Sequence, residues 1–342
     1  MKIPVFRPSI KRRDMDNVLS CMVSDRVGPG DLSKELAKII SKHLELSGGF
    51  TFSSYYTAIS ICLDVLKIEQ NDNVILSVLA PAIYFDVLSE KGINPVLIDV
   101  EPDSGIFLID KIKENMNKNP KAIIIHNTLG FVPDMEKLIQ LEIPLIEDIS
   151  HSLGCKFNEK YCGSFGELCI ISLDIENTIT AGQGGFLLSK DRKYIKEIKS
   201  LSVIDNLFLS DFNASLAIAQ FKQFNSYIET RLDLGELFSG QLMQSRHKTL
   251  MQSTSNADYI PFSFPVLLET GMNDVKQYAL KKNINTYVAF ENSIIKRIEK
   301  ENMDTDYPNA KSLLLRCLLF PLYPMLGKKN AETICRILVS LP

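Results

Sequence analysis

The sequence predicts an α/β protein with a mostly parallel central sheet covered by helices, followed by a smaller C-terminal α+β domain. From about residue 50 to residue 190, short apolar runs alternate with segments of helical periodicity. Strands that are apolar on both faces are typical of a parallel sheet buried between helices. After Lys190 this alternation stops, and the later segments are mostly shorter and mixed in character.

The elements of the large domain follow one another along the chain. The sequence predicts strands over residues 74–77, 95–99, 122–126 and 144–148, with helical patterns over 82–91, 106–116 and 135–141 and a helix from Tyr55 to about residue 66. A single long helical pattern without proline then runs from Phe212 to roughly Gln244. We place a domain boundary near residue 225, which gives a large α/β domain over residues 1–225 and a small α+β domain over residues 226–342.

Composition favours a soluble globular protein and gives no reason to expect a nucleic-acid partner. The chain has 342 residues, of which 45% are hydrophobic and 23% charged, with a formal net charge of −3. The densest basic run, Lys11-Arg12-Arg13, is followed at once by Asp14 and Asp16. Such a run is typical of a solvated helix start, whereas nucleic-acid binding calls for a basic face.

The chain also shows no pattern of a secreted or membrane protein. Its N-terminus lacks an uninterrupted apolar stretch, and the most apolar late segment, residues 313–326, is broken by Arg316, Pro321 and Pro324. The seven cysteines are an odd number and form no C-x-x-C pair. We expect a cytoplasmic protein with reduced cysteines and no metal site.

The most informative segment runs from Ser172 to Gly185 and reads S-L-D-I-E-N-T-I-T-A-G-Q-G-G. It resembles the signature S-F-H-P-T-K-N-I-T-T-G-E-G-G of the DegT/StrS (DegT/DnrJ/EryC/StrS) family of nucleotide-sugar aminotransferases. The resemblance implies a PLP-dependent transferase of fold type I, where PLP is pyridoxal phosphate, with a tendency to form homodimers. Four further segments match the family in order: residues 3–10 with the Gly28-Pro29 turn, 145–151, 157–167 and 319–326.

In the family this motif carries the lysine that forms a Schiff base with PLP. Aligned without a gap, Asn177 stands at the lysine position, and an amide nitrogen cannot form an imine. No other lysine lies between Lys160 and Lys190 that could take its place. We therefore expect Asn177 to be an inactive remnant of the catalytic position.

Three residues match other positions of the family's cofactor site. The resemblance implies that Asp148 contacts the pyridinium nitrogen, although an aspartate that caps the following turn fits the sequence equally well. It implies that Ser172 contacts the phosphate and that His151 lies near the phenolic oxygen of the cofactor. His151 is a candidate catalytic base, but a hydrogen-bonded core histidine is the favoured interpretation.

The phosphate position departs from the family. Its S-S-G-T-A-A-L motif corresponds here to Ser53-Ser54-Tyr55-Tyr56-Thr57-Ala58-Ile59, so Tyr55 and Tyr56 replace the Gly-Thr that receives the phosphate. We expect at least one of these two rings to fill the volume of the cofactor. The aromatic residue that stacks on the pyridine ring is missing from residues 77–82, and the nearby Tyr84 and Phe85 are expected on another face of their helix.

These departures favour a pseudoenzyme that has lost Schiff-base chemistry and acts as a binding or scaffolding subunit in nucleotide-sugar or surface-polysaccharide biosynthesis. An alternative is an active transaminase-like or dehydratase-like enzyme that holds PLP or pyridoxamine phosphate (PMP) without a covalent bond, or an activity without PLP built around Tyr55, Tyr56 and His151. A third is a sensor that keeps the substrate cleft. We expect no cofactor, a nucleotide-sugar ligand, and a homodimer or a heterodimer with an active paralogue.

Overall fold

The computed structural model describes residues 2–201, 205–269, 271–298 and 303–342. Thirteen strands occur within these ranges. They are β1 (Gly48–Phe52), β2 (Asn73–Ser77), β3 (Asn94–Ile98), β4 (Pro120–His126), β5 (Leu145–Asp148), β6 (Lys156–Phe157), β7 (Lys160–Tyr161), β8 (Leu168–Ser172), β9 (Gly185–Ser189), β10 (Lys248–Thr249), β11 (Phe264–Leu267), β12 (Tyr287–Val288) and β13 (Cys317–Phe320).

The same ranges contain thirteen α-helices and several short 3-10 turns. The helices are α1 (Arg12–Val23), α2 (Asp31–His43), α3 (Tyr55–Val65), α4 (Ala82–Glu90), α5 (Ile109–Glu114), α6 (Met135–Ile139), α7 (Arg192–Ser200), α8 (Asp211–Phe221), α9 (Phe224–Leu242), α10 (Met272–Lys281), α11 (Met303–Asp306), α12 (Pro308–Arg316) and α13 (Lys328–Val339). The predicted strands of the large domain are confirmed to within one or two residues.

Seven strands form the central sheet, in the order β1-β9-β8-β5-β4-β2-β3. Strand β9 runs antiparallel to both of its neighbours, and the other neighbouring pairs are parallel. The predicted mostly parallel sheet is confirmed. Because the carboxyl ends of β4, β5 and β8 meet at one edge, residues at the ends of these strands lie side by side there.

Both faces of this sheet are buried, which explains the continuous apolar runs in the sequence. Ile75, Ile123 and Ile125 belong to the core cluster on one face. Their neighbours Val74 and Leu76 belong to a second cluster on the opposite face. Successive side chains of a strand point to opposite faces, so a sheet covered on both sides requires apolar residues at every position.

A second, antiparallel sheet of four strands follows, in the order β10-β11-β13-β12. Helices α9, α10 and α13 contribute to its core, which contains Phe238, Val275, Leu318 and Ile334. Helix α9 also contributes Phe224 to the core of the large sheet. The division into residues 1–225 and 226–342 stays a prediction, since a helix that begins at this boundary packs in both cores.

The single long helix expected from Phe212 to roughly Gln244 is wrong. Two helices, α8 and α9, cover this segment, and Gln223 between them leaves helical geometry with φ −111° and ψ 7°. The Gln223 side chain donates to Asp14 at 3.0 Å and accepts from Lys11 at 2.8 Å. These bonds to a segment about 200 residues away favour the break, and local periodicity holds no signal for them.

Two general features complete the fold. No helix of the described residues is long and apolar enough to cross a membrane. All seven cysteines are free thiols, and six of them are buried, as expected for reduced core residues.

Glu147 in β5 is a fully buried carboxylate that anchors the loop after the β6–β7 hairpin. Its Oε2 accepts a hydrogen bond from the Gly163 amide at 2.7 Å, and its Oε1 accepts from the amides of Phe165 and Gly166 at 2.7 and 2.6 Å. Burial raises the pKa of Glu147, and the three hydrogen bonds from backbone amides oppose that rise. The Glu147 side chain therefore ties three backbone amides of this loop to the sheet.

We predict that Glu147→Gln lowers the free energy of unfolding by about 1–3 kcal/mol, because the amide group offers one acceptor oxygen and turns an N–H group toward backbone N–H donors. Urea denaturation measures the change. The matched control is Glu159→Gln at the exposed tip of the same hairpin, which should leave stability nearly unchanged. Equal effects of the two substitutions would contradict the anchoring role.

Candidate functional site

The candidate site lies at the carboxyl edge of the central sheet. Asp148 is the last residue of β5 and is paired in register with His126, the last residue of β4. Tyr55 begins α3 and Tyr84 lies in α4. Asp148 and Tyr84 are completely buried, and Tyr55 is 6% exposed. The sheet and the two helices therefore enclose one carboxylate with two phenol groups and an imidazole.

Every acceptor position of the Asp148 carboxylate is occupied by a group of the protein itself. Its Oδ2 accepts from the hydroxyl of Tyr55, from the hydroxyl of Tyr84 at 2.9 Å and from Nδ1 of His126 at 2.8 Å. Its Oδ1 accepts from the amide of Ser150 at 3.0 Å and from the Ser150 hydroxyl. A carboxylate offers about four lone-pair sites, so five donors leave none for another group.

The charge states in this cluster follow from its burial and its hydrogen bonds. Burial acts to raise the pKa of Asp148, but His126, Ser150 and Tyr55 outweigh it and hold the pKa well below its usual range. Burial, and then the negative charge of Asp148, raise the pKa of Tyr55 and of Tyr84 well above the ordinary value. Both phenols therefore stay protonated and donate to an ionised carboxylate.

Ser172 is engaged in the same network and offers no free hydroxyl. Its backbone amide donates to the Ser150 hydroxyl at 2.8 Å, and its own hydroxyl donates to Oδ2 of Asp174 at 2.9 Å. The resemblance implied a phosphate contact for Ser172. In the structure this residue joins the Asp148 cluster to the loop that carries Asn177.

Asn177 lies in the loop after β8 and lines a cleft of about 640 Å³ above the Asp148 cluster. Its backbone amide donates to the Asp174 carbonyl at 3.1 Å. Its side-chain Oδ1 is buried and has no hydrogen-bond partner among the described residues. The position that the resemblance assigned to the lysine therefore lies in the wall of the cleft, and its role as a replaced catalytic position stays a prediction.

The structure does not bring Tyr55 and Tyr56 together. Tyr55 lines the cleft above Asp148. Tyr56 instead packs half-buried against the neighbouring core, and its hydroxyl donates to Glu90 at the end of α4. Consecutive residues at the start of a helix point in different directions, so only one of the two rings can enter the site. The expectation that at least one ring fills the pocket rests on Tyr55 alone.

Tyr84 was expected on another face of its helix, and this expectation is wrong. Tyr84 lies on the face of α4 that packs toward the site, where its hydroxyl donates to Asp148. Its ring packs edge-on against the Tyr55 ring, with 5.9 Å between centroids. His126 was likewise not singled out by the sequence. Both residues lie more than 20 positions from Asp148, and the only signal for His126 was its place at the end of a predicted strand beside that of Asp148.

His151 lies in the cleft and is fixed on several sides. Its Nδ1 accepts from the Leu129 amide at 3.2 Å. Its ring stacks on Phe262 at 3.7 Å between centroids and meets the edge of His126 at 4.6 Å. Burial, and then the neighbouring His126, lower the pKa of His151 well below the ordinary value. A base with so low a pKa is neutral at physiological pH and weak.

Charged side chains surround the mouth of the cleft. Lys296 pairs with Glu291 at 3.1 Å, and Arg297 pairs with Asp86 at 3.4 Å. Lys296 is a lysine of the cleft that sequence reasoning missed, because it comes from the C-terminal part of the chain. Asp174 also lines the cleft, and burial raises its pKa. Aromatic side chains complete the walls, among them Phe6, Phe262, Tyr287 and Phe290.

This architecture is shared with sugar-modifying enzymes of known structure. The Spr1654 protein of Streptococcus pneumoniae, assigned to the sugar aminotransferases and solved in its PMP form, superimposes with a TM-score of 0.91 at 21% identity, covering 100% of this chain and 98% of that chain. A GDP-4-keto-6-deoxymannose-3-dehydratase mutant with bound GDP-perosamine superimposes with a TM-score of 0.87 at 16% identity, covering 98% of this chain and 99% of that chain. The fold is that of PLP-dependent sugar aminotransferases.

The sequence comparison assigns the family. The family model of the DegT/DnrJ/EryC1/StrS aminotransferases matches residues 8–339, and the chain belongs to that family. A GDP-perosamine synthase of Escherichia coli O157:H7 is 21% identical over 360 residues, which cover 97% of this chain and 96% of the relative. The family is PLP-dependent, and the Streptococcus pneumoniae protein is also known in its PLP form.

We predict that Asp148→Asn lowers the free energy of unfolding by about 3–5 kcal/mol at neutral pH, the range for breaking a buried ionic cluster. Because folding lowers the pKa of Asp148, its ionised form adds stability that is complete above about pH 4 and is lost as pH falls toward the folded-state pKa. Urea denaturation should therefore show a difference that narrows below about pH 4. Asp233→Asn on the exposed side of α9 is the control, and a pH-independent difference would contradict the assigned charge state.

Proposed function

We propose that this protein is a member of the aminotransferase family that has lost Schiff-base chemistry and acts as a binding or scaffolding subunit in nucleotide-sugar or surface-polysaccharide biosynthesis. The observation that carries the proposal is the hydrogen bond from Tyr55 to Asp148. In the family this carboxylate serves the pyridinium nitrogen of the cofactor. Here the hydroxyl group of Tyr55 donates a hydrogen bond to this carboxylate, in place of the pyridinium N–H group.

We infer that the residues of the site do not fit PLP. A ring that reached Asp148 would have to displace the buried Tyr55 side chain and break its hydrogen bond. It would then still share the Oδ2 atom with Tyr84 and His126. Charge-assisted hydrogen bonds contribute about 1.5–3 kcal/mol each. The cofactor would have to offset that loss without a lysine at position 177 to hold it.

The relatives suggest what the remaining cleft binds. Two of them are named for reactions on nucleotide-linked sugars, the GDP-perosamine synthase of Escherichia coli and a UDP-4-amino-4-deoxy-L-arabinose–oxoglutarate aminotransferase of Shewanella sediminis. The dehydratase of similar fold was solved with GDP-perosamine. A cleft of about 640 Å³ with aromatic walls falls within the range of small-molecule sites. We propose a nucleotide-linked sugar as its ligand.

The alternative is an active enzyme with noncovalently held PLP or PMP. Lys296 is the observation that gives it weight, because its ammonium group lines the cleft and could attract the phosphate of a cofactor held without a covalent bond. Its ammonium group is engaged with Glu291 at 3.1 Å. Gel filtration after incubation with PLP or PMP, followed by absorbance of the protein fraction, therefore separates the two proposals.

We predict that the purified protein is colourless and that incubation with PLP and borohydride leaves no pyridoxyl adduct in the cleft. The double substitution Tyr55→Gly with Asn177→Lys should gain a reduced adduct at residue 177, since it frees Asp148 and supplies an amine. Removal of the buried ring should also lower the free energy of unfolding by about 3 kcal/mol. Absorbance and peptide mass spectrometry measure the adduct.

The matched control is Tyr56→Thr with Asn177→Lys, which leaves the Tyr55 ring over Asp148 and should gain little or no adduct. PLP or PMP that stays with the unmodified protein through gel filtration, without an adduct, would favour the enzyme alternative. An adduct at residue 177 that forms equally in both double variants would show that Tyr55 does not exclude the cofactor.

We propose that the chain forms a homodimer through one face of α1. The four apolar side chains of this face, which we call the α1 patch, are at least half exposed: Met15, Leu19, Met22 and Val23. The opposite side of α1 packs on α8. Val27 and Phe212, joined by a backbone hydrogen bond, extend the patch. A helix stripe of this kind can pair with itself across a twofold axis, which makes a second copy its natural occupant.

We predict that Leu19→Glu with Val23→Glu converts a dimer to a monomer, because each buried apolar anchor contributes about 1–2 kcal/mol to such an interface. Light scattering at micromolar concentration measures the mass. Leu315→Glu, at an exposed apolar residue of α12, is the control and should leave the dimer intact. The unmodified protein could instead be monomeric alone and pair with an active family member. That result would contradict the homodimer and favour the heterodimer.

A further inference from the structure

The tautomer of His151 can be read from its surroundings. The Leu129 amide donates a hydrogen bond to Nδ1 of His151 at 3.2 Å. An atom that accepts from an N–H group carries no proton, so in the neutral ring the proton is on Nε2. Among the described residues no hydrogen bond involves Nε2, and His151 lines the cleft. The free Nε2–H group is therefore a donor that the protein does not use.

The turn that supplies the Leu129 amide is built for one geometry. Leu129 has φ +56° and ψ +14°, a left-handed conformation that costs free energy for a residue with a side chain. Gly130 follows with φ +96°, and a Cβ atom at this position would lie 2.4 Å from the Ile260 carbonyl oxygen. The buried Asn127 ties the turn to Ser152 with a hydrogen bond of 2.8 Å. Strain of this kind is typical of functional sites.

The plane of the His151 ring is fixed as well. Phe262 stacks on it at 3.7 Å with an interplanar angle of 21°. The carbonyl of Phe262 accepts a hydrogen bond of 2.7 Å from Nη1 of Arg231, a buried side chain of α9. The His126 ring meets the other side at 4.6 Å. His151 can therefore neither flip nor turn without breaking several contacts.

The charged and titratable groups around His151 favour its neutral form. They are His126 on β4, Asp148 on β5 and Arg231 on α9. Burial has the largest effect and lowers the pKa of His151, His126 and Arg231 lower it further, and Asp148 opposes them. The ring is therefore uncharged over the physiological range and offers a hydrogen bond without a positive charge.

We infer that His151 is a fixed neutral donor that receives an uncharged oxygen of the ligand, the hydroxyl or carbonyl group of a sugar ring, through its Nε2–H group. The nature of the ligand rests on the proposed function, whereas the tautomer rests on the geometry alone. With this hydrogen bond His151 acts in ligand recognition and not as a catalytic base.

The charges of the cleft support an uncharged group at this position. Its two cations are already engaged by Glu291 and Asp86. Asp174 and Glu176 also line the cleft, and no ion pair holds either of them among the described residues. Two unpaired carboxylates repel a phosphate group, so the sugar end of a nucleotide-linked sugar is favoured near His151 over the diphosphate end.

The test combines a measurement on the free protein with binding to defined probes. Nitrogen-15 NMR of the histidine rings should show Nδ1 of His151 without a proton and Nε2 protonated, with no titration between about pH 6 and 8, where an ordinary histidine titrates. Protonation on Nδ1, or titration near the ordinary value, would overturn the assignment. This readout needs no ligand and stays valid even if the protein takes up PLP.

Calorimetry with UDP-glucose, GDP-mannose and UDP-glucuronate tests the ligand. We expect binding of at least one of the first two and about tenfold weaker binding of the carboxylate-bearing probe. His151→Gln, which keeps a donor near the Nε2 position, should retain affinity, and His151→Leu should lose about tenfold, the effect of one neutral hydrogen bond.

His247→Gln is the control outside the cleft and should bind as the unmodified protein does. Equal affinity of the Gln and Leu variants at position 151, or no binding of any probe, would overturn the role in ligand recognition. A protein that binds both PLP and sugar probes with the expected His151 dependence would overturn only the proposed loss of the cofactor.

Discussion

The buried carboxylate of Asp148 constrains the whole site, because an ionised group without water must find its donors within the protein. An isolated charge in the interior costs far more free energy than the fold can offset. Tyr55 and Tyr84 supply two donors, His126 supplies a third and Ser150 supplies the rest. The positions of α3, α4 and the strand ends are therefore coupled through one side chain.

If the cofactor was lost, as we propose, that coupling allows a structural cluster to take its place without a change of fold. A carboxylate at the end of β5 needs a proton donor above it, whether a pyridinium ring or a phenol. Tyrosine at position 55 satisfies this need and places a ring next to Asp148, so the carboxylate is left without an unpaired charge. In that proposal a lysine at position 177 would have no cofactor to bind, whereas asparagine leaves its buried Oδ1 atom without a hydrogen-bond partner among the described residues.

Much of the fold could be predicted from the sequence, because strands buried on both faces leave a continuous apolar signal. That Asp148, Asn177 and Tyr55 lie close to one site could also be predicted, since they belong to motifs, whereas their roles stay predictions. Tyr84 and His126 could not, because their roles depend on which helix face and strand end meet Asp148 in space. The break at Gln223 was missed for the same reason, since its hydrogen bonds reach Asp14 and Lys11 in a distant segment.

The cleft above the cluster has a different character from the cluster itself. Below the cleft, every polar atom of the Asp148 side chain has a hydrogen-bond partner in the protein. The cleft itself is lined by His151, whose Nε2 atom makes no hydrogen bond with the described residues. It is also lined by Asp174 and Glu176, which have no ion-pair partner among the described residues. An inert scaffold would gain nothing from a strained turn at Leu129 that fixes one tautomer of His151. The strained turn at Leu129 has a use if the cleft binds a ligand through His151. This favours a binding protein over an inert scaffold.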